Sequence, residues 1–365
     1  MRVLFAPDSY KGTLSSVEVA LALATGWARG RPGDELRLSP LADGGEGTLD
    51  AIEAAGGWER RYAVVDDPLG RSIHASWLQR RTASEVDAVV EMAAASGLSR
   101  LAPGERDPFG ATSRGTGQLL FAALAAGART VTIGIGGSAT TDGGRGIIEA
   151  LGAHVDDAHD GAFVVNLAGL EPGLAALDVR VACDVDNPLL GPRGAAATYG
   201  PQKGASPDDV VGLDARLARW ADALDAATGR HEREAPGAGA AGGVGYALLS
   251  LQDRFRTFAL HPGVELVMAA TGFDAALRHC DLVVTGEGRI DAQTAFGKTA
   301  MGVARRAQAA GIRCIAVGGG VETAGAEALA VVGATTAAVH DRPIGFEAAV
   351  AAGAAPIEAC AERLA

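Results

Sequence analysis

The chain has 365 residues, 48% of them apolar and 21% charged, with Gly at 51 positions. That balance excludes a disordered polymer and gives room for about two domains; the glycine excess carries no collagen period. Lys and Arg total 32 against 44 Asp and Glu, a net charge of −12, which argues against nucleic acid or an anionic membrane as the main partner but leaves small anions open, since local groups bind those.

Taken in chain order, short β-rich runs alternate with helical stretches, the mark of an α/β protein. Arg2 to Ala6 reads as a buried strand, and Ser15 to Glu18 as a capping box opening a helix that runs to about Arg29. Glu35 to Leu41 is a second strand, followed by a helix from about Glu46. The middle has a different texture: hairpin strands at Ile73 to Arg80 and Val86 to Met92, strands at Thr130 to Ile135 and Val179 to Cys183, and a long helix over Pro207 to Thr228. Strands return at Asp281 to Thr285, Arg313 to Val317 and Thr335 to Val339. Residues 1–66 and 280–365 are therefore expected to form one discontinuous, parallel, Rossmann-like α/β domain, with 67–279 as an inserted α/β domain.

No run approaches the roughly 20 apolar residues of a membrane span, and Asp8 and Lys11 follow the first apolar run too soon for a signal peptide. The four cysteines (Cys183, Cys280, Cys314, Cys360) are widely separated, and the seven histidines lack zinc-ligand spacing. The expected setting is the reducing cytoplasm, without zinc and without a membrane or nucleic-acid partner.

The cations are almost all Arg; Lys occurs only at Lys11, Lys203 and Lys298, each beside a glycine. Where coding bias has replaced Lys by Arg wherever Arg will serve, the survivors should mark places that need a compact ammonium rather than a planar fork. Polar clusters recur directly after strands: P-D-S-Y-K-G (Pro7 to Gly12), A-D-G-G-E-G-T (Ala42 to Thr48), G-G-S-A-T-T-D-G-G (Gly136 to Gly144), D-V-D-N-P-L (Asp184 to Leu189) and G-E-G-R-I-D (Gly286 to Asp291). Ligands of parallel sheets bind beyond the carboxyl ends of the strands, so these loops are expected to face one cleft. Lysines, aspartates and glycine-rich backbone together suit an anionic phosphate with a divalent cation. Two fingerprints match in part. Gly134 to Ala139 fits the G-x-G-x-x-A dinucleotide pattern, but Asp142-Gly143-Gly144 prolongs the loop past the point where a Rossmann helix begins; Ala292 to Thr299 resembles a phosphate-binding P-loop, but the G-E-G-R-I-D segment separates it from its strand.

These segments, with Y-G-P-Q-K-G-A and P-G-A-G-A-A-G-G (Pro236 to Gly243), closely resemble the bacterial-type glycerate kinases, in order and over essentially the whole chain. The resemblance implies ATP-dependent phosphorylation of D-glycerate with Mg²⁺, generally to 2-phosphoglycerate, by a two-domain α/β protein with its active site in the cleft. Thr141 departs from an expected Asn, and Tyr10 and Tyr199 from expected Phe. From the residues and the resemblance together, Lys11 and Lys203 are assigned to anionic groups, and Asp184 and Asp291 to general base and Mg²⁺ ligand, with Glu287 as a further metal ligand. Asp8, Ser9, Asp43, Asn187 and Arg289 are candidates for substrate binding, though Asp8 and Asp43 read equally as caps. Gly136, Gly137, Ser138, Thr140, Asp142, Gly239, Gly242 and Lys298 are candidates for nucleotide phosphates, while Gly286 and Gly288 read as backbone-geometry residues. Lys11 and Lys203 are expected to tolerate Arg for folding, as surface residues do, while losing activity. Two other classes stay open at this point: a nicotinamide-dependent hydroxy-acid dehydrogenase and a non-catalytic sugar-acid binding protein.

Overall fold

The computed structural model describes residues 1–158, 161–296, 299–340, 342 and 344–365. Among these, thirteen strands follow one another: β1 (Arg2–Phe5), β2 (Glu35–Leu38), β3 (Glu59–Asp66), β4 (Ser72–Arg81), β5 (Val86–Glu91), β6 (Thr130–Gly134), β7 (His154–Asp157), β8 (Phe163–Asn166), β9 (Asp178–Ala182), β10 (Thr257–His261), β11 (Leu282–Ile290), β12 (Arg313–Val321) and β13 (Ala334–Ala338). The chain divides into two compact units, one of Met1–Asp43, Asp50–Gly57 and Val264–Ala365, the other of Gly44–Leu49 and Trp58–Gly263.

The first unit carries a five-stranded sheet in the order β13-β12-β11-β1-β2, parallel throughout. Arg2–Phe5 and Leu282–Ile290 are neighbours in it, so both chain ends build one sheet. Val3, Leu4 and Phe5 are fully enclosed, as a strand of a parallel sheet covered on both faces requires. The helix Ser16–Gly30 begins at the capping box read from the sequence: Ser15 Oγ accepts from the Glu18 N–H at 3.2 Å, and the Glu18 carboxylate accepts from the Ser15 N–H at 2.8 Å. Its buried face places Trp27 edge-on to Phe5, with ring centroids 6.0 Å apart.

The second unit carries a six-stranded mixed sheet in the order β10-β9-β6-β5-β4-β3, with β7 and β8 as a separate hairpin. The expected boundaries at 66 and 280 shift for a physical reason. Strand β3 pairs antiparallel with β4 along its whole length, which places residues 59–66 in the second sheet, whereas the helices Gly263–Thr271 and Phe273–Leu277 fall almost wholly within the first unit.

A second difference concerns β11, which does not end at Thr285. It continues through Gly286-Glu287-Gly288-Arg289 to Ile290, paired with β12 up to Val321. The glycines there are not turn formers. A Cβ at Gly286 would stand 2.2 Å from Val317 O, so the missing side chain lets two backbones approach.

Candidate active site

Residues from the carboxyl ends of the first unit's strands meet around a cavity of about 610 Å³. The loop after β1 supplies Asp8, Ser9 and Lys11, the segment after β2 supplies Asp43, and the extension of β11 supplies Glu287 and Arg289. Asp8 is only 7% exposed; it accepts hydrogen bonds from Thr299 Oγ1 at 2.5 Å and from the Ser9 N–H at 2.6 Å. Burial, reinforced by the charge of Asp43, pushes its carboxyl up to about 6 even though both hydrogen bonds pull the other way. Lys11 is 76% exposed at the side chain and pairs with Asp43 at 3.1 Å. Desolvation opposes its charge, but Asp43 first, then Asp8 and Glu287, outweigh it and hold the ammonium above its ordinary range. Glu287, nearly buried, accepts from Thr294 Oγ1 at 2.7 Å, and Arg289 is held by Glu322 at 2.6 Å. Tyr10 fixes the loop from below: its ring is buried and its hydroxyl donates to Val317 O at 2.9 Å, a bond that the expected Phe could not make.

In the second unit the glycine-rich loop after β6 surrounds a buried lysine. Lys203 is 2% exposed, with Nζ donating to Ser138 Oγ at 3.0 Å and to Thr140 O at 2.5 Å. Desolvation lowers its pKa to about 7, and Asp142 acts in the opposite direction. The surface-lysine expectation for Lys203 is thus corrected: it is an internal strut. Asp142 is committed as well. Its Oδ2 accepts from the Ser113 N–H and Oγ, both at 2.8 Å, and from the Gly146 N–H at 3.2 Å, while Oδ1 accepts from the Gly144 N–H at 3.0 Å. That arrangement caps the helix Arg145–Ala150, the ordinary use of an Asp at a helix start. Gly239 and Gly242 serve packing: a Cβ there would lie 2.2 Å from Pro188 O and 1.9 Å from Thr140 O. Gly136 likewise meets the Gly44–Gly45 backbone, with its N–H donating to Gly44 O at 3.2 Å, and Gly137 has φ +73°. The Thr140 and Thr141 hydroxyls are buried and have no hydrogen-bond partner among the described residues.

The structure therefore brings Lys11, Asp8, Ser9, Asp43, Glu287 and Arg289 to one cavity. Asp291 is not among its lining residues; its Oδ1 accepts from the Gln293 N–H at 2.8 Å, a turn-capping contact. Asp184 belongs to the second unit, exposed at the end of β9, and accepts from the Gly263 N–H at 3.0 Å. Asn187 is tied on both ends of its amide, donating to Arg193 O and accepting from the Tyr199 hydroxyl, each at 2.7 Å. Lys298 lies outside the described residues. The sequence reading missed the cavity's apolar wall, drawn from residues 339–357 and including Phe346; the aromatic at the end of the Pro-Ile-Gly-Phe stretch was the available signal.

The dinucleotide match after β6 does not hold geometrically. The next helix starts only at Arg145, and the acidic residues about 20 positions on that such a pattern would need for the ribose, Asp156 and Asp157, lie on the separate β7–β8 hairpin, where Asp157 is bound by Arg145 at 2.8 Å. A parallel sheet built from both chain ends, with cations and carboxylates around a cavity at the strand ends, defines an α/β protein with its ligand site at the carboxyl ends of the strands. The comparisons with known proteins specify it. The glycerate kinase family model matches residues 3–365. The chain is 44% identical over 319 residues to the glycerate 2-kinase of Escherichia coli (strain K12), covering 84% of this chain and 82% of the relative. It is 42% identical over 333 residues to the glycerate kinase of Bacillus subtilis (strain 168), covering 88% and 85%. The crystal structure of a Salmonella typhimurium LT2 chain described as a candidate glycerate kinase 2 superposes with TM-score 0.80 at 37% identity, covering 100% of this chain and 97% of that one. The chain belongs to the glycerate kinase family.

Proposed function

We propose that this glycerate kinase family member transfers the γ-phosphoryl group of ATP to the 2-hydroxyl of D-glycerate, with Mg²⁺, giving 2-phosphoglycerate and ADP. The observation that carries the reading is the buried Asp8, poised near neutrality, in a cavity that also holds the Lys11–Asp43 pair. Phosphoryl transfer is catalysed mainly by positioning and charge neutralisation, with a carboxylate taking the proton of the attacking hydroxyl. Asp8 is the proton acceptor in this reading, because a pKa near the working pH combines basicity with the right protonation state. Lys11, kept charged by its carboxylate neighbours, faces the anionic groups. The Arg289 guanidinium, exposed at the cavity beside Glu322, is suited to the substrate carboxylate.

Among the described residues no group of three or more potential ligands could hold a metal ion by itself, but the Asp43 and Glu287 carboxylates both line the cavity. Asp43 and Glu287 would hold Mg²⁺, completed by phosphate oxygens and water, as this ion ordinarily requires only one or two protein carboxylates. When bound, the ion would neutralise charge developing on the phosphates. The relative named glycerate 2-kinase favours the 2-position for the product.

The test is turnover of the purified protein with D-glycerate, ATP and Mg²⁺, the product position being read by phosphorus NMR. A 2-phosphoglycerate resonance that is lost in Asp8→Asn and kept in Asp291→Asn supports the reading. Unchanged D-glycerate with phosphorylation of other hydroxy acids would refute the substrate, and a 3-phosphoglycerate product would refute the regiochemistry.

A further inference from the structure

The first unit's cavity is larger and less polar than a three-carbon acid requires. Its volume of about 610 Å³ falls in the range of roughly 300–1,000 Å³ typical of sites for drug-sized ligands. The polar lining comes from the loop after β1, from Asp43 and from β11; the wall from residues 339–357 is mainly apolar, with Val339, Ile344, Phe346, Ala349, Pro356 and Ile357. Glycerate has no surface that such a wall could bury.

Phe346 connects the two parts. The residue is 63% exposed while lining the cavity, so the ring is accessible to a ligand. Its Cε2 stands 2.8 Å from where a Cβ of Gly12 would be, and Gly12 has φ +80°. The ring thus lies on the backbone of the residue next to Lys11, and only glycine leaves room for it. An accessible aromatic ring seated on the backbone next to a lysine matches the two parts of a nucleotide, a base to stack and phosphates to neutralise.

We infer that the apolar wall is the subsite for the purine base of the phosphoryl donor, with Phe346 as its stacking face and Gly12 as the residue that seats the ring beside Lys11. The inference rests on the phosphoryl-donor reading above and adds where the donor's base lies and which side chain stacks on it.

The test is calorimetric titration of the full-length protein with Mg²⁺-ATP and, separately, with Mg²⁺ and inorganic tripolyphosphate, which has the charge but no base. Phe346→Ala should weaken ATP binding at least tenfold, change tripolyphosphate binding less than twofold, and leave the KM for D-glycerate unchanged; Phe346→Trp should retain ATP binding. ATP binding unaltered in Phe346→Ala overturns the inference, as does an equal loss for both ligands, which would make the ring a support for the Lys11 loop. A wild-type protein that does not bind ATP would instead overturn the phosphoryl-donor reading, and this inference with it.

Discussion

Asp8 carries a folding cost that the proposed proton-acceptor role would account for. Its carboxyl titrates at about 6 in the folded chain against an ordinary 3.8, so between those values the folded state holds a proton that the unfolded state has lost. Its contribution to stability is complete below pH 3.8 and disappears as pH rises through about 6. By linkage, the ionised form costs on the order of 2–3 kcal/mol at pH 8. Asp8→Asn should therefore raise the thermal midpoint at pH 8, with the gain shrinking to nothing near pH 4, while abolishing turnover; a variant less stable than wild type at pH 8 would show that the Thr299 and Ser9 hydrogen bonds outweigh desolvation. Wild-type kcat/KM should correspondingly fall as pH drops through about 6. Lys11 gives a contrasting case: its exposed ammonium tolerates a larger head without strain, but the longer, planar guanidinium would pair with Asp43 in a different geometry and displace the charge from the phosphate it is proposed to face. Lys11→Arg should lower kcat/KM by at least about tenfold, or ~1.4 kcal/mol of transition-state stabilisation, with an unchanged melting curve; wild-type kinetics would remove Lys11 from the site. That Asp8, Ser9, Lys11 and Asp43 line one cavity was legible in the sequence because they lie in the loops that follow strands of a parallel sheet. Asp142 and Asp291 satisfied the same rule and turned out to cap backbone N–H groups, a use of Asp that sequence pattern does not separate from ligation.

At the scale of the element, the loop after β6 shows how a buried lysine can organise glycine-rich backbone. Lys203 reaches through Ser138 and Thr140 and titrates near 7 rather than 10.5. The folded state therefore favours the neutral amine. The contribution of Lys203 to stability is present above the ordinary lysine value and lost as pH falls through about 7. Wild-type stability should rise relative to Lys203→Met between pH 7 and 9.5 in urea denaturation, where most other titrations cancel in the difference; parallel profiles would refute the lowered titration of Lys203. Lys203→Arg should now cost stability rather than spare it, by about 1–3 kcal/mol for overfilling a closed site. Elements with strong local signals were read correctly: the Ser15–Glu18 capping box, the helix Pro207–Thr228, and the run Val3 to Phe5. Strands β3, β7, β8 and β10 were missed because their exposed positions carry charged or mixed residues and their pairing is tertiary. The polar end of β11 was missed for a related reason: its glycines signal a turn in sequence, while in space they let β12 and Tyr10 approach.

For the molecule as a whole, the first unit depends on residues far apart in the chain. Its core joins Val3, Phe5, Leu23 and Trp27 to Leu282, Val317, Ile357 and Cys360. The C-terminal helix Ala355–Leu364 lies so close to the helix Ser16–Gly30 that a Cβ at Gly26 would be 2.0 Å from Glu358 O, and Arg29 binds Glu358 at 2.6 Å across the same contact. The surface ion pair contributes little; the buried face matters more. Ile357, Cys360 and Ala361 are enclosed there, and losing them while uncovering Leu23 and Trp27 removes several side chains that contribute about 1.5–3 kcal/mol each when large and fully buried. Net stabilities are only about 5–15 kcal/mol. A chain ending at residue 354 should therefore lose cooperative unfolding of the first unit, with fast amide exchange in β1. Gly26→Val tests the same contact with every residue retained: it should lower the thermal midpoint and also weaken Mg²⁺-ATP binding, because Pro356 and Ile357 of the displaced helix line the cavity. If Gly26→Val melts like wild type, the C-terminal helix is an appendage and its link to the cavity fails; if it melts early yet binds ATP normally, the cavity is supported by the sheet alone.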